Sequence, residues 1–353
     1  MALMAASLCC ACSGRPGQGV LVPNTQAVEG TSQVSILAAT TRKRATSDQG
    51  SMFSGDRAVD VSYASIGVSI PPDNGRKIGE VQWPLSPPGD PHRDFVTVSA
   101  DYLDAQSFNN ALSAAVRQTG RTKVLVFIHG FNNRFDDAVY RFAQIVHDSK
   151  APVVPVLFSW PSRGEVRLSA YTYDRESANY SRDALERLLD SVAANPNVKE
   201  ITVLAHSMGN WLTLEALRAK SIRMGRISDK IKNVLLVAPD VDVDVFRTQI
   251  QRMGKPRPRF ALFLSQDDAA LKLSQSIWGG VSRIGDVNPN EEPYKTQFEQ
   301  EGILVFDLTH LQGDDAHSRA FDDVTSVMGM IRQRFASGQQ LTDAGGSLGD
   351  ASQ

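Results

Sequence analysis

Past Cys12 the chain has no cysteine. All three, Cys9, Cys10 and Cys12, fall near the N-terminus, so the body lacks a thiol for a disulfide, a thiolate nucleophile or a cysteine-bound zinc. Histidine is sparse as well: the six are dispersed and form no H-E-x-x-H pair, which leaves a metal site without a pattern. Neither G-x-G-x-x-G nor G-x-x-x-x-G-K-[ST] occurs, so no nucleotide cofactor is expected and none of another kind is suggested. Charge of one sign is missing too. Against 37 basic residues stand 39 acidic ones, mixed along the chain for a net charge of −2, and no nucleic-acid partner is expected. Beyond the N-terminal leader no run approaches the ~18 apolar residues of a membrane span.

What is present is an ordinary globular composition, 42% hydrophobic over 353 residues, enough for a sizeable core. The opening MALMAASLCCACSGRPG is apolar and ends in small residues, and Cys12 before SGRPGQG resembles the lipidation point of a bacterial lipoprotein signal. The expectation is a protein of the cell envelope, periplasmic or tethered to a membrane through an N-terminal lipid, with a cytoplasmic location as the alternative. Residues 1–33 read as leader and linker, 34–335 as one domain, and 336–353, rich in Gly, Ser and Gln, as a disordered tail.

Within the domain, VSILAAT (Val34–Thr40) reads as an edge strand. RAVDVSYASIGVSI (Arg57–Ile70) reads as a strand, and PPDNGRKIGEVQWP follows with turn chemistry before a second short strand, the two strands forming an antiparallel pair at the edge of the sheet. From Lys123 the pattern changes. KVLVFIH, VPVLFSW, EITVLAH, KNVLLVAP, RFALFLS and ILVFDLTH are compact apolar runs suited to strands buried on both faces. Between them, FDDAVYRFAQIVHD and DRESANYSRDALERLLDSVA carry apolar residues at helical spacing. The alternation predicts an α/β fold: a mostly parallel central sheet with helices on both faces and an antiparallel N-terminal edge.

The segment VLAHSMGN places Ser207 between the strand EITVLAH and the helix MGNWLTLEALRAKSIRM. That is where open parallel sheets hold functional residues, and it is the setting of the G-x-S-x-G nucleophile elbow, here with Ala205 for the first glycine. The bland alternative is that Ser207 merely caps the helix. A serine nucleophile also needs a base and an acid, in the chain order Ser, acid, His. His317, in the loop LQGDDAHSRAF, has the freedom of a loop residue, whereas His310 ends the strand ILVFDLTH. For the acid, Asp267 and Asp268 follow RFALFLS, and Asp240 and Asp242 follow KNVLLVAP; an aspartate there also serves as a helix cap. FIHGFNN leaves its strand through Gly130, so the amides of Phe131 and Met208 are the candidate oxyanion donors. Trp160 and Arg163 in FSWPSRG, and Trp211, read as packing and a solvated charge rather than as substrate contacts.

Taken together, VFIHGFNN, FSWPSRG, YDRESANYSRDALERLL, LAHSMGN and VAPDVDVDVF resemble a bacterial α/β-hydrolase family, esterase- or lipase-like and known only as a domain of unknown function. The resemblance runs from about Val34 to Phe335. Carried over residue by residue, it implies Ser207 as nucleophile, Asp268 as acid through the D-x-A-L pattern in DAAL, and His317 as base through the His-Ser pair in AHSRAF. Arg319 stands where the family usually has an aromatic residue, two positions after that histidine. The implied activity is serine hydrolysis of a small-molecule or lipid ester. Its rival is an envelope-associated binding or scaffold protein that keeps the fold without turnover.

Overall fold

The computed structural model describes residues 15–47, 50–265, 274 and 280–309. Three strands come first: β1 (Ser32–Arg44), β2 (Phe53–Ile70) and β3 (Val96–Leu103). Helix α1 (Ala105–Thr119) leads into β4 (Lys123–Ile128), and α2 (Phe135–Ser149) into β5 (Val153–Ser159). Next come α3 (Leu168–Ala194), β6 (Glu200–His206), α4 (Met208–Met224), β7 (Ile231–Val237), α5 (Val243–Met253) and β8 (Arg259–Leu264). A short α6 (Tyr294–Glu301) precedes β9 (Leu304–Asp307). Among the described residues no helix is long and apolar enough to cross a membrane.

All these strands form one sheet in the order β3-β2-β1-β5-β4-β6-β7-β8-β9. The six apolar runs of the sequence supply β4 to β9, which pair in parallel, while β1 to β3 pair antiparallel at one side. Alternation within a strand feeds both faces. Val124, Val126 and Ile128 of β4 join the core under α1, α3 and α4, and Leu125 and Phe127 join the core under α2. The fold is the expected α/β-hydrolase type. The chain steps from β4 to β5 on one side and then back across β4 to β6, so the carboxyl ends of β4 and β6 lie where the strand order reverses, the place at which open parallel sheets hold ligands.

Two features depart from expectation. The strand expected at the edge is interior, because β1 is flanked by β2 and, in parallel, by β5. As expected, PPDNGRKIGEVQWP holds a turn, the 3-10 turn Asp73–Gly75, and a strand antiparallel to β2 follows it as β3. Helix α1, not anticipated, buries only the narrow stripe Phe108, Leu112 and Val116. Ahead of β1, Val20 and Leu21 are buried, and the segment is tied down by Leu21 N–H donating to Gly50 O (2.7 Å) and Asn24 N–H to Thr97 O (2.7 Å).

Candidate active site

Ser207 occupies the single-residue turn between β6 and α4 with φ 50° and ψ −122°. Positive φ costs a residue with a Cβ roughly 1–2 kcal/mol, and such strain persists only where the surroundings over-determine it. Here they do. Ser207 N–H donates to Val237 O at 3.0 Å, while Ser207 O accepts from the Asn210 amide (3.0 Å) and from Asn210 Nδ2 (2.8 Å). Fully buried Asn210 also donates through Nδ2 to Val237 O at 2.9 Å, locking the turn to the end of β7. The Ser207 side chain makes no capping hydrogen bond to α4, so the turn does not exist to cap the helix.

Close approach explains the glycines on either side. A Cβ on Gly209 would lie 2.4 Å from His129 O, and one on Gly130 would lie 2.9 Å from Ser207 Cβ. Bare backbone at both positions lets the loop after β4 touch the serine turn, and Ala205 pairs with Ile128 in the adjacent strand. Phe131 therefore follows a residue in contact with Ser207. Met208 opens α4, whose first amides are left unpaired by the helix itself. The structure thus brings Ser207, Phe131 and Met208 to one edge. Three of the five non-glycine residues with positive φ among those described lie at this edge: Asn132 (59°), Ser207 (50°) and Ala238 (43°).

Asp267, Asp268, His310 and His317 lie outside the described residues, as do the leader cysteine Cys12 and the tail. Of the other candidate acids, Asp242 caps α5, its Oδ1 accepting from the Val245 amide at 3.0 Å. Asp240 is buried and engaged through both oxygens, accepting from Tyr171 Oη on Oδ2 (2.6 Å) and from Ser274 Oγ on Oδ1 (2.6 Å), with Arg283 Nε 3.4 Å away. Tyr171 in turn sets its ring edge-on to Phe131, with centroids 5.2 Å apart. Trp160 is fully buried, stacks on His129 at 4.9 Å and donates to His129 O at 2.8 Å; it is packing. Arg163 is exposed and lies over the Tyr173 ring at 3.9 Å. Trp211 is half-buried and donates to Asn179 Oδ1 at 2.6 Å.

Sequence reading missed the polar layer beneath the loop. His129 is buried, donates from Nδ1 to Gly130 O (2.9 Å) and faces Ser159 Oγ from Nε2 (3.0 Å). Burial first, and then the charge of Arg42, hold it far below the usual histidine range, so it stays neutral. Arg42, from β1, is itself fully buried and its pKa falls to about 10, because desolvation outweighs the charges of Asp174, Asp137 and Asp136. Asp174 accepts from Ser162 Oγ and from the Arg163 amide (2.9 Å); burial raises its pKa. Asp136, in the first turn of α2, is pushed up to about 7 by burial and then by the adjacent charge of Asp137. Arg15 reaches the same loop, donating to Asn132 O at 3.4 Å, and also pairs with Asp137 and donates to Gly164 O at 2.7 Å. Only the placement of His129 directly before Gly130 signalled any of this in the sequence.

Residues 104–334 match a family described as an alpha/beta hydrolase of unknown function (DUF900). No curated protein matches the chain in sequence. Similar solved structures include an esterase of the fungus Rhizomucor miehei, 11% identical over 77% of this chain and 81% of that one, with a TM-score of 0.33. A Pyrobaculum calidifontis esterase is 10% identical over 66% of this chain and 94% of its own, with a TM-score of 0.34. For a putative esterase of Staphylococcus aureus the identity is 13%, the coverage 62% and 76%, and the TM-score 0.36. Likenesses of this strength carry no argument about chemistry.

Proposed function

The chain belongs to the alpha/beta hydrolase family of unknown function, and from that premise we propose that it is a serine hydrolase acting on a small-molecule or lipid ester. The observation that carries the reading is Ser207 itself: a serine held at φ 50° at the end of a central strand, with no capping bond, in contact with the loop that bears Phe131. Strain of this kind clusters at functional sites, and a helix cap would not require it.

In the proposed cycle His317 takes the proton of the Ser207 hydroxyl as its oxygen attacks the ester carbonyl. The amides of Phe131 and Met208 hold the oxyanion of the tetrahedral intermediate. Collapse of the intermediate breaks the ester bond, and the imidazolium returns its proton to the departing alcohol. Water, deprotonated by the same histidine, then releases the acid from the acyl-enzyme. Asp268 holds the imidazole in the required tautomer and stabilises its charged form.

A fluorophosphonate probe tests the nucleophile without knowledge of the substrate, because it labels only an activated serine. One equivalent of label, mapped by mass spectrometry to the peptide containing Ser207, is the expected result. A folded protein that stays unlabelled, or is labelled elsewhere, would overturn the proposal and favour a scaffold that keeps the fold without turnover.

A further inference from the structure

The oxyanion loop is gripped from below by a strand outside the matched family region. Arg42 lies near the end of β1, ahead of residues 104–334, yet its guanidinium passes under the loop after β4. NH2 donates to Asn133 O (2.7 Å), NH1 to Ser162 O (2.8 Å) and to Ser54 O (3.2 Å), and Nε to Ser159 Oγ (2.8 Å). Asn133, so held, donates from Nδ2 to Phe131 O at 2.8 Å.

The chemistry of these partners fixes the direction of every proton. Gly130 O is a carbonyl and only accepts, so the His129 nitrogen 2.9 Å away, Nδ1, carries the hydrogen. In a neutral imidazole Nε2 is then an acceptor, and the hydroxyl at 3.0 Å, Ser159, donates to it. Arg42 has no acceptor and donates to Ser159 Oγ, which leaves the serine hydrogen free to point at His129. Donation therefore runs from Arg42 to the His129 ring, chiefly through Ser159 and also directly from NH2, 3.4 Å from Nε2, and on to the carbonyl of Gly130. That carbonyl shares its peptide plane with the N–H of Phe131, and in a trans peptide the two point in opposite directions. Pinning Gly130 O downward turns the Phe131 amide the other way, and donation to the carbonyl polarises the same amide as a donor.

We propose that Arg42 and Ser159 are positioning residues which, by holding His129 in its Nδ1–H form, aim the Phe131 amide at the carbonyl oxygen attacked by Ser207. The inference rests on the serine-hydrolase reading for its last step. The first steps concern the ground state of the protein and are read independently of turnover.

The test pairs Ser159→Ala, which removes one buried hydroxyl, with Arg42→Lys, which keeps the charge and loses the fork. Each is compared with wild type for thermal unfolding, kcat and KM on an activated ester, and the ring nitrogen signals of His129 by NMR. In wild type, His129 shows a single neutral Nδ1–H tautomer through neutral pH. In folded Ser159→Ala that signature weakens, kcat falls roughly 10- to 100-fold, as for a partly lost oxyanion donor, and KM changes little; Arg42→Lys behaves alike. An Nε2–H or charged His129 in wild type overturns the proposal. So does wild-type kcat in folded Ser159→Ala when turnover is abolished by Ser207→Ala. If instead Ser207→Ala retains turnover, the hydrolase reading itself fails and takes the oxyanion role of Phe131 with it.

Discussion

Ser207→Ala is expected to lose at least about 10⁴-fold in kcat on an activated ester, the scale seen when a triad nucleophile is removed, while unfolding at the wild-type temperature. Both halves follow from the local geometry. Alanine has a Cβ as serine does, so it bears the same φ of 50° and keeps the backbone bonds to Val237 and Asn210. The hydroxyl caps nothing, so its removal leaves no helix amide newly unpaired, and the stability change should stay within about 0.5 kcal/mol. Circular dichroism melts beside ester hydrolysis and probe labelling would check the pair. A folded Ser207→Ala protein with wild-type turnover would end the serine-hydrolase reading.

The second large effect concerns the partners of that serine. His317→Ala and Asp268→Asn should each lower kcat by about 10³- to 10⁴-fold, whereas His310→Ala and Asp267→Asn should stay within a few-fold. As the proposed base His317 works only when neutral, so kcat/KM should fall toward acid pH. Asp240→Asn serves as a control of another kind. Its carboxylate accepts from Tyr171 and Ser274 beside Arg283, so the substitution should cost stability before chemistry. If His310→Ala is inactive while His317→Ala works, or if Asp240→Asn is the severe and still folded carboxylate variant, the triad is misassigned.

What could be read from the chain and what could not divides along sequence distance. The parallel strands were legible because each is a short apolar run, and a strand buried on both faces needs nothing else to announce itself. Ser207 was legible because its strand, turn and helix are contiguous. The interior position of β1 was not, since SQVSILAATTRKR ends in residues that usually face water. Thr40, Thr41 and Arg42 are nonetheless buried, satisfied by Ser159, Ser181 and Ser162, which lie far along the chain. Helix α1 escaped notice for a local reason: its apolar stripe is a single residue wide per turn among small and polar neighbours.

The place of β1 also bears on how the chain reaches its fold. Synthesised first, it can pair with β2 across a short connection. Its other side is complete only when Thr40 meets Ser159, across a sequence separation of 119 residues. Contacts that close loops of such length come late and limit the rate of folding, so β1 passes through a stage with one row of amides and carbonyls open to other chains. Pulse-labelled hydrogen exchange should find β1 amides directed at β2 protected before those directed at β5, and simultaneous protection would contradict this order. The strand that supports the loop after β4 in the finished protein is thus also the unpaired edge that aggregation would use first.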